Sequence, residues 1–291
     1  MRVAGISMVR NEVEVIDFTV RHHLDQGLDP VVILDNGSTD GTLEILREIE
    51  KKDERVTVLV DDGPFHQEVG LTMLAQEALK LGATWMVAFD GDELWASTNG
   101  LVNDIRNTGG ANLIYVTLQN FVQATNYSPN HLYSNVLYKI PNDQANATKE
   151  EIERKERSSI ELPWGRKHII KLSENLLVGP GTHIHTGLPI GHTHIDESNT
   201  FKAYQVPMRS YEHLVRKAEN GMRIQEAGYG YEYGWEAHIW ADQYRSGTLM
   251  DEWKANSHHL GVMTRYDGSQ LQLEYNSLIA DQYDKYLGSK I

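Results

Sequence analysis

Apolar residues in the first ninety positions alternate between two periods. Residues 3–9, Val-Ala-Gly-Ile-Ser-Met-Val, form a near-continuous apolar run, the pattern of a strand covered on both faces. Between about residues 12 and 26 the spacing changes. Val13, Ile16, Val20 and Leu24 fall three or four apart, and Gly27 follows as a stop signal. Residues 31–34 repeat the strand pattern, and Leu43, Ile45, Leu46 and Ile49 mark a second helix opened by Asp40-Gly41-Thr42. A third strand over 56–60, a third helix over about 68–81 closed by Gly82, and a fourth strand over 85–89 complete four β-units. Strands alternating with helices predict an α/β fold with an open, mostly parallel sheet.

Beyond residue 100 the pattern is mixed. Residues 113–118 and 168–172 read as strands. Residues 143–157 are almost free of bulky apolar side chains and read as a solvated helix or, by preference, a mobile loop. From about residue 199 the spacing turns helical: Tyr211, Leu214, Val215 and Ala218 share a face, and two further helices are expected over 235–244 and 249–256. This divides the chain into a core over 1–195 and a helical C-terminal region over 196–291.

In open parallel sheets, ligands bind outside the carboxyl ends of the strands. Here those ends are polar throughout: Arg10-Asn11-Glu12, Asp35-Asn36-Gly37-Ser38-Thr39-Asp40, Asp61-Asp62-Gly63 and Asp90-Gly91-Asp92-Glu93. Turn and cap chemistry accounts for Asp40 or Asp62, but three acids in four residues after a buried strand repel one another and require a cation or a partner. Carboxylates flanking one residue suit Mg²⁺ or Mn²⁺, which take oxygen ligands from protein and substrate phosphate together. A second polar segment carries His183 and His185, then His192 and His194. Alternating residues on an extended chain face one side, and neutral imidazole ligates metals.

Composition narrows the field. The chain has 291 residues, with 27 Lys+Arg against 41 Asp+Glu and a formal charge of −14. That argues against a sequence-independent grip on nucleic acid. Hydrophobic residues make up 40%, enough for a substantial core. Cysteine is absent, so thiolate catalysis and Cys-ligated zinc are excluded, and a reducing, cytoplasmic setting is expected. No apolar stretch approaches the length of a membrane span, and the N-terminal run is too short for a signal segment.

The segments Val9-Arg10-Asn11-Glu12, Leu34-Asp35-Asn36-Gly37-Ser38-Thr39-Asp40-Gly41-Thr42 and Trp85-Met86-Val87-Ala88-Phe89-Asp90-Gly91-Asp92-Glu93 resemble the three core motifs of family 2-type glycosyltransferases. These are nucleotide-sugar enzymes with the GT-A fold, a Rossmann-like mixed sheet flanked by helices. Arg166-Lys167-His168 through Gly181-Thr182-His183, and the segment from Pro207-Met208-Arg209-Ser210 to Gly221, resemble later blocks of the branch with Arg-Asn-Glu and Asp-x-Asp-Glu motifs. The resemblance implies transfer of a sugar from a nucleotide-diphosphate sugar, a UDP-sugar being favoured, to a hydroxyl of a glycan, small-molecule or protein acceptor, with inversion and with Mn²⁺ or Mg²⁺. It places Asp35 on the nucleobase, and Arg10, Asn11, Glu12, Asn36 and Asp61 around the nucleoside. Asp90 falls at the ribose or metal, and Asp92 on the metal. His183, with His185 as rival, is a further metal or phosphate ligand, and Lys167 or Arg209 a fixed positive charge for the diphosphate. An inverting enzyme also needs a carboxylate base. No Glu-Asp pair lies between Glu93 and Glu150; Asp196 and Glu197 are the nearest acidic pair, with Glu161 and Glu232 as further candidates. A sugar-phosphate nucleotidyltransferase, a metallohydrolase and a non-catalytic sugar-binding module are the competing readings.

Overall fold

The computed structural model describes residues 1–63, 66–163, 166–179, 185–196, 200–226, 228–231 and 234–288. The elements run β1 (Val3–Val9), α1 (Ile16–Asp25), β2 (Val31–Asp35), α2 (Thr42–Lys52), β3 (Val56–Val60), α3 (Gln67–Lys80), β4 (Trp85–Ala88), β5 (Glu93–Ser97), α4 (Leu101–Arg106) and β6 (Ala111–Val116). They continue with β7 (Leu118–Val122), β8 (Tyr138–Lys139), α5 (Lys149–Glu153), β9 (Lys167–Lys171), β10 (Leu177–Val178), β11 (His185–Thr186), β12 (His192–Ile195) and β13 (Phe201–Gln205). The remainder is α6 (Tyr211–Glu226), α7 (Trp235–Ser246), α8 (Leu249–Ala255), β14 (His258–His259), β15 (Val262–Thr264), β16 (Gln270–Gln272), β17 (Glu274–Tyr275) and α9 (Leu278–Gly288).

Two compact units result, one of residues 1–118 and 164–205, the other of residues 119–163 and 206–291. The segment 119–163 groups with the C-terminal residues.

The first unit is built on a seven-stranded sheet in the order β12-β6-β9-β4-β1-β2-β3. β4, β1, β2 and β3 are mutually parallel, as the alternating pattern requires. β9 runs antiparallel between β4 and β6, and β12 lies parallel to β6 at the edge. The sheet is therefore mixed but parallel where the motifs lie. Its strands are apolar without interruption because successive side chains feed two different cores. Val3, Val31, Ile33 and Val87 pack with Ile16, Val20 and Leu24 of α1 and with Leu46 and Ile49 of α2. Ala4, Ile6, Val32, Leu34 and Met86 pack with Leu71, Leu74, Ala75 and Ala78 of α3. β5 and β13 pair antiparallel, so the expected helical character after residue 199 begins one strand later.

In the second unit β8 pairs antiparallel with β7 and with β17, and β14, β15 and β16 form a small meander. The C-terminal region is thus not wholly helical. Val122, Ile140, Ile160, Met263, Leu271 and Leu273 form one core; Met208, Leu214, Ala218, Trp240, Leu249 and Trp253 form another. α6 and α7 approach closely at Gly221, where a Cβ would lie 2.0 Å from the carbonyl oxygen of Ala237. The polar stretch 143–157 is ordered in part as α5, started by a reciprocal capping box between Thr148 and Glu151.

Candidate functional site

The carboxyl ends of β1 and β2 are tied together by their own polar side chains. Asn11 takes a left-handed conformation, φ 57°, which asparagine tolerates better than most residues. Its backbone N–H donates to the Ser38 hydroxyl at 3.0 Å, and its side-chain oxygen accepts from the Thr39 N–H at 2.8 Å. The Glu12 N–H donates to Thr42 Oγ1 at 2.8 Å, while Asp40 accepts from the N–H groups of Val13 and Thr42. Asp40 is therefore a loop and helix-start residue, in keeping with its turn chemistry. Arg10 is exposed at the rim.

Asp35 and Asn36 are buried. The Asn36 amide donates to the backbone oxygens of Asp61 (2.9 Å) and Gly63 (3.3 Å), which locks the end of β3 to the end of β2. Asp61 is exposed and its carboxylate accepts from the Gly63 N–H at 2.9 Å. Asp35 Oδ1 accepts from the Ser38 N–H at 3.0 Å, but its Oδ2 has no hydrogen-bond partner among the described residues. A buried carboxylate oxygen left unmatched carries a desolvation cost, which a ligand N–H relieves.

The turn between β4 and β5 gathers the acidic motif. The Glu93 N–H closes the turn on the Asp90 carbonyl at 3.0 Å. Glu93 is fully buried and Asp92 nearly so. Lys167, at the start of β9, places Nζ 3.0 Å from Asp90 Oδ2 and 2.7 Å from Glu93 Oε1. Burial, with the nearby Asp90 and Asp92, pushes the Glu93 carboxyl upward against the pull of Lys167. Burial would lower the Lys167 ammonium, but Asp90 and Glu93 outweigh it, so the shift is upward and the lysine stays charged. Lys167 is thus committed to the acidic turn. Gly91 is needed for packing: a Cβ there would lie 2.8 Å from Glu12 Cγ, so the turn rests on the Arg-Asn-Glu segment.

The back of the turn is held by α1. Thr19 Oγ1 donates to the Gly91 carbonyl at 2.8 Å, and His22 Nε2 lies 2.8 Å from the Trp95 carbonyl oxygen. The His23 ring stacks on Phe89 with centroids 3.8 Å apart. Burial, with the neighbouring His22, lowers His23 well below the ordinary imidazole range. Sequence periodicity placed α1 but not this role, since Thr19, His22 and His23 fit an amphipathic helix as polar positions. Their partners lie about seventy residues onward, a separation no local pattern encodes.

The remaining expected residues fall in several places. His185 Nε2 is 2.6 Å from Nδ1 of His168, whose ring packs on Tyr115. His192 and His194 lie on the edge strand β12, the first of them exposed. His183, Glu197 and Glu232 lie outside the described residues. Asp196 accepts from the N–H groups of Thr200 (3.0 Å) and Phe201 (2.7 Å) and so fixes the entry to β13. In the second unit Arg209 is fully buried and its carbonyl accepts from Gln123 at 2.9 Å. Glu161, also fully buried, is enclosed by Arg157 at 3.0 Å and Arg265 at 2.5 Å, a structural ion cluster. Glu236, which the sequence did not single out, is half-buried. Burial pushes it up to about 7 while Lys217 and Lys149 pull it down. Among the described residues no three His, Asp or Glu side chains form a ready-made metal cage. The donor set of the acidic turn still suits a hard cation, because Asp90 and Asp92 offer oxygen only.

Parallel strands ending in a polar, hydrogen-bonded loop and an acidic turn define the class: an α/β fold of the GT-A type. The sequence matches the model of glycosyl transferase family 2 over residues 6–169, more than half of the chain. The chain belongs to that family of glycosyltransferases. No curated protein matches this sequence. Among solved structures it is similar to the mannosyltransferase PcManGT from Pyrobaculum calidifontis in complex with GDP-Man and Mn²⁺, at 21% identity over 40% of this chain and 35% of that one, TM-score 0.34. It is similar also to S. aureus TarS, at 14% identity over 90% of this chain and 45% of that one, TM-score 0.40. For TarS 1-349 with UDP-GlcNAc the identity is 12%, over 90% of this chain and 75% of that one, TM-score 0.44. The chain thus spans less than half of the length of the first two. Among the described residues no helix is long and apolar enough to cross a membrane.

Proposed function

We propose that the protein transfers a sugar from a nucleotide-diphosphate sugar, by preference a UDP-sugar, to a hydroxyl of a glycan, small-molecule or protein acceptor, inverting the anomeric centre, in the cytoplasm. The observation that carries this reading is the Oδ2 of buried Asp35 at the carboxyl end of β2, unmatched among the described residues, in a chain that belongs to glycosyl transferase family 2. Asp35 accepts an N–H of the nucleobase. Asn11 and Asn36 act chiefly by shaping the loop around it, and Glu12 supports the acidic turn through Gly91. Arg10 and Asp61 are exposed at the same strand ends and face the nucleoside.

Asp92, with Asp90, would hold Mg²⁺ or Mn²⁺, and His183 or His185 would complete the set. Bound there, the ion supplies Lewis-acid stabilisation of the departing diphosphate. Lys167 acts on the turn itself. For the base that takes the acceptor proton, the pair Asp196–Glu197 remains the choice. Asp196 is engaged by two backbone donors, which favours Glu197.

Calorimetry with UDP and with GDP, each in Mn²⁺ and in EDTA, tests the reading. We expect one nucleotide to bind, and to bind more tightly with Mn²⁺. Failure of both to bind under either condition would overturn it.

A further inference from the structure

Three carboxyl groups crowd the turn Asp90–Glu93, and the Lys167 ammonium reaches two of them. Lys167 Nζ bridges Asp90 Oδ2 at 3.0 Å and Glu93 Oε1 at 2.7 Å. The pair is not a solvated surface contact: the Lys167 side chain is 7% exposed and that of Glu93 0%, against 45% for Asp90. Lys167 starts β9, which is fixed between β4 and β6. The ammonium is therefore delivered by the sheet itself and does not depend on a mobile side chain finding its partner.

We infer that Lys167 is the resident counter-ion of the acidic turn, occupying Asp90 and Glu93 so that a divalent ion is held well only together with a nucleotide diphosphate. The inference rests on the proposed function for the identity of that ligand. The argument is one of charge. A turn with three carboxylates and no ammonium attracts a bare dication strongly and repels a diphosphate. One fixed positive charge a few ångströms away weakens the first interaction and relieves the second, and the burial of Lys167 and Glu93 reduces the screening of both effects by water. Lys167 is thus a positioning residue whose effect on bare metal and on nucleotide has opposite signs. A merely structural lysine would, when removed, weaken both.

The experiment measures Mn²⁺ binding without nucleotide, from the electron paramagnetic resonance signal of the free ion, in wild type, Lys167→Met and Lys167→Arg. UDP and GDP binding in EDTA is measured by calorimetry in parallel. Lys167→Met should bind Mn²⁺ alone about tenfold more tightly or better, and bind nucleotide in EDTA more weakly. Lys167→Arg should restore both values towards wild type. Because Lys167→Met leaves Glu93 buried without its ammonium, Lys167→Met/Glu93→Gln provides a better-folded background in which Asp90 still loses the Lys167 ammonium, and it too should gain affinity for Mn²⁺. Unchanged or weaker Mn²⁺ binding in both Met variants would overturn the inference. Nucleotide binding to none of the proteins would instead overturn the proposed function and leave the Mn²⁺ comparison standing as its own test.

Discussion

Replacing Asp35 by Asn separates a ligand contact from a structural one. Oδ1 of Asp35 accepts the Ser38 N–H at 3.0 Å, and a side-chain amide oxygen can keep that bond. Oδ2 has no hydrogen-bond partner among the described residues, and in the variant an NH₂ group takes its place. Toward the nucleobase, a charged acceptor becomes a neutral donor facing another donor. Loss of a hydrogen bond to a charged group costs about 1.5–3 kcal/mol, or roughly 10- to 150-fold in affinity. Toward the fold, the substitution removes a buried charge while retaining the loop bond, so thermal stability should hold or rise. Calorimetric titration with nucleotide and Mn²⁺, beside a thermal melt, reads both effects. Wild-type nucleotide affinity in Asp35→Asn would refute the assignment of Oδ2 to the base. A fall in affinity accompanied by a large loss of stability would show that Asp35 acts on the loop instead.

Two further outcomes follow from the second unit. Gly221→Ala sets a methyl group 2.0 Å from the Ala237 carbonyl oxygen; helices must move apart, and a loss of about 1–3 kcal/mol is expected by denaturant unfolding, whereas wild-type stability would refute the contact. His258 is buried, its Nδ1 accepts the Gly261 N–H at 3.2 Å, and burial with the neighbouring His259 lowers it to about 4. The folded state therefore favours the neutral ring, so its contribution is fully present above the unfolded value near 6.5 and is lost as pH falls towards 4, at up to about 1.4 kcal/mol per pH unit. His258→Gln should flatten that part of the stability profile, and an unchanged acid slope would exclude His258 as its source.

The strand–helix alternation of the first ninety residues was legible because both faces of β1, β2 and β4 are buried, so their apolar runs are unbroken. The polar strand ends were legible because apolar runs stop there. What lay beyond the sequence was pairing across distance. β9 reads as an ordinary strand, and nothing in its composition says that it enters antiparallel beside β4. Without that register Lys167 looks like a charge available to a diphosphate rather than a partner of Asp90 and Glu93. The small meander β14–β16 was missed because its strands are two or three residues long, too short for a period to emerge. Residues 143–157 looked unstructured by hydrophobicity alone, yet the Thr148–Glu151 capping box needs only polar side chains.

The place of β9 within its sheet also bears on how the chain is made. β6 is synthesised well before β9, but among the described residues its sheet neighbours are β9 and β12, both of which come later. β6 therefore has no permanent pairing partner while the intervening segment 119–163 emerges, and that segment in turn groups with residues beyond 205. Docking of β9 between β4 and β6 and delivery of Lys167 to the acidic turn are one event, deferred until residues 167–171 have been made. Until then the four parallel strands are exposed along the β4 edge, the stage at which unpaired strands are open to aggregation.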